Sequence, residues 1–214
     1  MPGAYAISAV YPRLLMQSGM LPSRVLLRDT AMTLDQLNTA EMIDWQVMAT
    51  MFRNLNRATT TPDWAVQLGT RFGISTHGPL GFAALSAPNL HASFQVITEY
   101  IAVRTTAISC TASFSEGYFR IEIHDHAGDI EAYNWLCEML LNNFESLAAT
   151  QLGHDADHRA RILLARPKPR HHRKLAQAYR SGLVFSAAGN AFELPADLAH
   201  RPSALHDEPV YRAS

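Results

Sequence analysis

The chain has 214 residues, 48% of them apolar and 17% charged, which is enough to bury a sizeable core and argues against disorder. With 18 Lys and Arg against 19 Asp and Glu, the formal net charge is −1, so the chain as a whole has no electrostatic drive toward a phosphate backbone. Its 2 cysteines, Cys110 and Cys137, lack the Cys-x-x-Cys spacing of a zinc ribbon or thioredoxin-type site and read as reduced core thiols.

The opening MPGAYAISAVYPRLLMQSGM has no basic stretch before its apolar one, and Arg13 interrupts it, so it does not read as a signal peptide. No run approaches the roughly 18 apolar residues that span a bilayer, and a cytoplasmic protein is expected. Ile7, Val10, Leu14 and Leu15 recur at helical spacing up to Gly19, a suitable C′ stop, and Pro22-Ser23 reopens the chain toward a second short helix. Asn38 and Glu41 have the capping-box offset, ahead of an apolar stripe of Met42, Trp45, Met48, Phe52 and Leu55. Thr61 is predicted as an N-cap with Pro62 at the first helical position; Trp64, Leu68 and Phe72 then share a face, and Gly73 closes the helix. His77-Gly78-Pro79-Leu80-Gly81 is a turn cluster before a short helix at 82–85. Asn89 is predicted to cap a helix that buries Leu90, Phe94, Ile97 and Ile101.

Past residue 104 the period changes to two. Ile108, Cys110, Ala112 and Phe114 alternate with polar residues, Ser115-Glu116-Gly117 makes a turn, and Phe119, Ile121 and Ile123 alternate again: a hairpin with one wet face. A long helix is predicted from Asp129 to Gly153, burying Ile130, Tyr133, Cys137, Leu140, Phe144 and Leu147. A short strand at 161–165 precedes a basic helix ending near Tyr179. The segments 183–186 and 191–194 bracket a turn and read as a second hairpin. The expected class is α+β: a helical lobe over 1–104, then a mixed, largely antiparallel sheet in the order β-β-α-β-α-β-β over 105–200, with helices packed on one face.

Several segments in order resemble the N-terminal, effector-binding (arabinose-binding-like) region of AraC-type transcription regulators. They are Pro12-Arg13-Leu14-Leu15 with Ser18-Gly19-Met20-Leu21-Pro22; Leu68-Gly69 with His77-Gly78-Pro79-Leu80-Gly81-Phe82; Ser86-Ala87-Pro88-Asn89-Leu90 with Ala92 and Phe94; and Val184-Phe185-Ser186-Ala187-Ala188-Gly189-Asn190. Gly78 and Gly81 suit positive φ or a close backbone approach. Relatives in this subgroup sense ornithine, betaine-type compounds, fatty acids or quorum signals. The resemblance implies a bacterial sensor that acts as a homodimer, with 201–214 as the start of an interdomain linker. No amphipathic helix pair with basic recognition residues is legible, so the helix-turn-helix half is expected to lie outside this chain and DNA contact to run only through it. The arabinose-binding regulator itself has a cupin-like sandwich, whose many short strands residues 1–101 do not supply.

The resemblance implies a mostly apolar effector pocket between the helical lobe and the sheet. Candidate walls are Phe72, Phe82, Phe94, Tyr100, Phe114 and Trp135, with His77 or Arg104 meeting a polar or anionic end of an amino-acid, fatty-acid or aromatic-acid-like effector. The predicted long helix offers a dimer face, since Trp135, Met139 and Leu141 widen its apolar stripe. The spacing of His154 and His158, with Asp155 and Asp157 between them, lacks a third ligand and reads as a polar loop; His124-Asp125-His126 reads as a turn. No metal and no cofactor is expected. The segment 159–180 holds 8 basic residues and no acid, and reads foremost as a solvated face. Neither G-x-S-x-G, a P-loop nor a strand-borne G-x-G-x-x-G occurs, so no catalytic residue is assigned and an enzyme is not expected. A ligand-free dimerisation module is the alternative.

Overall fold

The computed structural model describes residues 5–153 and 159–213. Strand β1 (Ala6–Ser8) is followed by helices α1 (Val10–Gln17), α2 (Ser23–Leu26) and α3 (Leu34–Thr39), strand β2 (Met42–Asp44), and helices α4 (Trp45–Ala58) and α5 (Trp64–Arg71). A 3-10 turn (Ile74–His77) leads into α6 (Pro79–Ser86), then α7 (Leu90–Tyr100) and a second 3-10 turn (Ile101–Val103). The sheet region comprises β3 (Ile108–Ser115), β4 (Tyr118–Asp125), α8 (Ile130–Leu152), β5 (Arg161–Leu164), α9 (His172–Ala178), β6 (Gly182–Phe185) and β7 (Asn190–Pro195). Helices α10 (Ala196–Ala199) and α11 (Glu208–Ala213) follow. The class is α+β, and the order β-β-α-β-α-β-β past residue 104 is the one the patterning predicts.

The front of the chain departs from the helical reading at two points. Ile7 lies in β1, which pairs antiparallel with β2 through Ile7↔Ile43, so Ile7 and Ile43 are buried as strand residues. The other side of β1 bonds residues 104–106: Ser8 N–H donates to the Arg104 carbonyl at 2.7 Å and Thr106 N–H to the Ala6 carbonyl at 2.9 Å. Met42 is therefore strand, and α4 starts at Trp45, where Asp44 Oδ1 accepts from Gln46 N–H at 2.8 Å. The capping box sits earlier than the Asn38–Glu41 offset suggests, at Thr33 and Gln36 of α3. Trp45, Met48, Phe52 and Leu55 form the buried stripe of α4 as expected. Helix α5 begins at Trp64 rather than Pro62, and Asp63 occupies its N-cap without capping the backbone, its Oδ2 accepting instead from Gln67 Nε2 at 3.0 Å. Asn89 does cap α7, accepting from Ala92 N–H at 2.9 Å.

The large sheet has strand order β3-β4-β7-β5-β6, with β5 and β6 parallel and the other neighbours antiparallel. The β3–β4 turn places Glu116 and Gly117 at φ 51° and 79°, the left-handed pair that suits a twisted hairpin. The second hairpin expected at 183–194 does not form. Strand β5 is inserted between β6 and β7, because its inward residues Ile162 and Leu164 are fully apolar and buried, whereas β6 alternates half-buried and exposed residues as an edge strand does. On the inner face, Phe94 of α7 packs on Phe119, Phe192 and Phe144 with ring centroids 5.8, 6.1 and 5.3 Å away, joining α7, β4, β7 and α8. On the outer face, Glu193 of β7 is buried between Arg120 of β4 and Arg161 of β5. Arg120 Nε donates to its Oε1 at 2.6 Å, and Arg161 lies 2.8 Å from its Oε2.

Helix α8 runs through the middle of the molecule, capped by Asp129 and ended by Gly153 at φ 61°. Its dimer face does not exist as expected: Trp135, Met139 and Leu141 are all buried within the chain, Trp135 against Trp64 and Phe52. Ile130, expected inside, is 64% exposed, because the first helical residue lies beyond the edge of the core. Cys110 and Cys137 are buried and free. Among the described residues, no helix is long and apolar enough to cross a membrane.

Candidate functional site

Three segments far apart in sequence meet beside the first 3-10 turn. Tyr11 comes from α1, His77 ends the turn, and Arg104 follows the second turn, where β1 fixes its backbone. The Tyr11 hydroxyl and His77 Nδ1 share a hydrogen bond of 2.8 Å, and the rings tilt against each other. The Arg104 guanidinium donates to the His77 carbonyl. Burial, then the Arg104 charge, lowers the His77 pKa to about 4, so the ring is neutral at pH 7. Burial pushes the Tyr11 hydroxyl up to about 12 against the opposing pull of Arg104. The Arg104 guanidinium thus lies beside two groups that are neutral at pH 7. None of the ion pairs among the described residues involves it, and its Nε is buried without an acceptor.

The two glycines of the turn cluster make this approach possible. Gly78 has φ 64°, and a Cβ there would lie 2.3 Å from the Arg104 guanidinium. A Cβ on Gly81 would lie 1.9 Å from the Ile74 carbonyl oxygen, so α6 can fold back on the turn only without a side chain at that position.

Two hollows flank the cluster. The outer one is an open groove of about 610 Å³ between α6, α7, the second 3-10 turn and α11; Leu80, Ala83, Val96, Val103 and Tyr100 line it together with Arg104. The inner one is a narrow apolar cavity of about 30 Å³ walled by Met48, Phe72, His77, Leu136 and Met139, with Tyr11 and Asn143 also in its lining. That is the space of a single water molecule. Asn143 Nδ2 donates to the Met139 carbonyl at 3.0 Å, while its Oδ1 is buried without a partner. A smaller void lined by His77, Leu80 and Asn143 lies between the two, so Leu80 of α6 stands between groove and interior.

Of the residues singled out from sequence, Phe72 and His77 line the inner cavity, and Tyr100 and Arg104 line the groove. The other four join neither lining. Phe94 is in the aromatic core, Trp135 packs on Trp64, and Phe82 is 52% exposed on α6. Phe114, near the hairpin turn, is 45% exposed and stacks on His200 at 5.2 Å. Tyr11 is not among the sequence candidates, since nothing in the sequence links it to a histidine 66 residues away. Asn143 carries a signal by which it could be found: an amide on the apolar side of a helix, between Leu140 and Leu147.

A second polar cluster lies on the other side of α8. Glu138 is buried, with Arg166 Nη2 2.6 Å from its Oε1 in a geometry that leaves both atoms without a hydrogen bond. Burial outweighs the arginine and raises the Glu138 pKa to about 7, with Asp63 adding to the rise. His171, near Arg166 and Asp63, is shifted down, first by burial and then by the arginine. His124 and His126 bond Thr111 and Ser109 hydroxyls at 2.7 and 2.8 Å. Among the described residues, no 3 or more His, Cys, Asp or Glu side chains converge as a metal site; His154, Asp155, Asp157 and His158 lie outside the described residues. Of the basic stretch, Arg159, Arg161 and Arg166 pair with Asp197, Glu193 and Glu138.

Residues 19–203 match the family model of the arabinose-binding domain of AraC transcription regulators, N-terminal. The ornithine utilization regulator of Pseudomonas aeruginosa is 26% identical over 144 residues, which cover 67% of this chain and 42% of that protein. The crystal structure of the transcriptional regulator CdpR from Pseudomonas aeruginosa superposes with a TM-score of 0.61 at 19% identity, over 78% of this chain and 54% of that one; the likeness is one of fold. The chain thus spans about half the length of the relatives it matches, or less.

Proposed function

Because this chain belongs to the arabinose-binding N-terminal domain family of AraC transcription regulators, a family of regulators and not of enzymes, we propose that it senses a small organic effector. In this reading the chain holds the effector and passes its presence to a DNA-binding helix-turn-helix region outside residues 1–214. Residues 1–104 and 105–200 act as one sensor, and 201–214, which return to α6 at Asp207 and wall the groove with Tyr211 and Arg212, begin the link to that region. The observation that carries the reading is the groove of about 610 Å³ with the unpaired Arg104 in its wall, a volume within the range typical of small-molecule sites. The inner cavity is too small for a metabolite as it stands. It is walled partly by Met48 and Met139, whose unbranched side chains can repack around an occupant.

Thermal-shift and calorimetric titration with amino acids, fatty acids and aromatic acids tests this. A ligand present at 100 times its Kd stabilises the fold by about 2.7 kcal/mol, a readily measured shift. Absence of a saturable shift from every class defeats the reading.

The alternative, a dimerisation module, has one observation in its favour. Phe82, Val103 and Val210 are exposed apolar residues on α6, the second 3-10 turn and α11, the elements that border the groove. Sedimentation of the chain and of its Phe82→Glu variant separates the readings: a dimer lost in the variant, with no ligand response, favours the module.

A further inference from the structure

The groove's chemistry narrows the effector and names the element that reports it; this step rests on the effector-sensing reading above. We propose that the groove takes an amphipathic organic monoanion, its carboxylate on Arg104 and its hydrocarbon along Leu80, Ala83, Val96 and Val103, and that the occupant holds helix α11 against the body of the domain.

Arg104 is half-buried, carries a fixed positive charge, and its guanidinium makes one hydrogen bond among the described residues, to the His77 carbonyl. Most of its five N–H donors remain for a ligand, in the fork geometry that matches a carboxylate. Arg212, the other cation of the groove, is largely exposed and already held by Glu208 at 2.5 Å, one helical turn away. The groove's own carboxylate, Glu99, is exposed and accepts from the neighbouring Tyr100 hydroxyl, a bond that raises the Tyr100 pKa. A half-buried cation and a solvated carboxylate together favour an anionic head over an ammonium. Of the other lining residues, Pro79, Leu80, Ala83, Val96 and Val103 offer no hydrogen-bonding side chain and Tyr211 offers one hydroxyl, so the rest of the ligand is mostly hydrocarbon.

Tyr211 and Arg212 form one wall of the groove, and Arg104 and Val103 belong to another. Helix α11 has six residues, and the segment leading into it is held to the end of α6: Asp207 N–H donates to the Ser86 carbonyl at 3.1 Å, and His206 Nδ1 lies 2.9 Å from the same oxygen. A helix this short has little stability of its own. A ligand lying between it and the second 3-10 turn adds contact area on both sides, so occupancy shifts the balance between a seated and a released α11.

The test titrates the chain with octanoate, 3-phenylpropionate, octylamine and ornithine by calorimetry, and follows hydrogen exchange of 206–213 in parallel. Octanoate or 3-phenylpropionate is expected to bind, and saturation to slow exchange in 206–213 several-fold. Arg104→Gln should weaken binding at least tenfold. Because that change also removes the bond to His77, Val103→Asp serves as the second variant: residue 103 is 68% exposed, so the fold tolerates the change while a negative charge enters the groove and expels the anion. Carboxylate binding that ignores both variants overturns the site. Binding that depends on them but leaves exchange in 206–213 unchanged overturns the role of α11. Binding of octylamine or ornithine in preference to the acids overturns the ligand class while the effector-sensing reading stands; only silence from every compound class removes both.

Discussion

Two buried groups on opposite sides of α8 pull the pH dependence of stability in opposite directions. Glu138 holds a pKa of about 7 in the fold against 4.5 when free. Its folded form keeps a proton that the unfolded chain has lost, so its contribution is intact below pH 4.5 and disappears as the pH rises through 7. At about 1.4 kcal/mol per tenfold change in proton affinity, the loss is about 3 kcal/mol. His77 is the reverse case, held at about 4 against 6.5. The unfolded chain takes up its proton first, so stability present above pH 6.5 is lost as the pH falls through 4, again by about 3 kcal/mol. Between pH 4.5 and 6.5 these two slopes cancel, and the wild-type profile there keeps only the contributions of other groups, such as the lowered His171. Removing one group uncovers the other. Glu138→Gln should become less stable on acidification from pH 7 to 4, by about 3 kcal/mol from His77 alone. His77→Asn, which keeps a partner for the Tyr11 hydroxyl, should become more stable as the pH falls from 7 to 4.5. Urea unfolding at half-unit pH steps on the three proteins measures this directly. Variant profiles running parallel to wild type would refute the assignment of these slopes to Glu138 and His77.

Other outcomes follow from packing. Phe94→Ala removes the ring at the centre of the aromatic core and should cost about 3–5 kcal/mol in urea unfolding, whereas Phe82→Ala, at a position 52% exposed, should stay within about 1 kcal/mol of wild type. Gly81→Ala drives a methyl group into the Ile74 carbonyl, and calorimetry should find a melting temperature several degrees lower, with a cost of about 1–3 kcal/mol. Asn54→Ala takes the donor from the Leu26 and Arg28 carbonyls, which Asn54 Nδ2 meets at 3.0 and 2.6 Å; the expected loss is about 1–3 kcal/mol, read from the denaturation midpoint.

The parts of the fold legible in the sequence are those in which local pattern and tertiary packing agree. The β3–β4 hairpin announces itself by alternation and a Glu116-Gly117 turn, α7 by Asn89, and α8 by its length and Gly153. What misleads is short structure. A three-residue strand such as β1 carries no period, and Ile7 matches helical spacing by chance; its real partners lie at Ile43 and residues 104–106. The β6–β7 pair resembles a hairpin because turn residues separate two apolar runs. Strand order, however, is set by which strand buries more, and that is β5. The candidate site shows the same limit. The turn cluster points to His77 and Gly78, and the end of the helical lobe to Arg104. That Tyr11 meets them is a property of how α1 lies across the fold. Aromatic candidates scatter between core and surface because aromatic type alone does not say which face of an element it occupies.

The Arg120–Glu193–Arg161 row has a consequence for assembly. The three residues stand directly opposite one another on β4, β7 and β5. Sliding β7 by one position would turn Glu193 inward among Ile121, Ile162 and Phe144 and set Phe192 in water, exchanging a satisfied carboxylate for a stranded one. The row thus works as a key for mutual alignment: the central three strands have one low-energy registration.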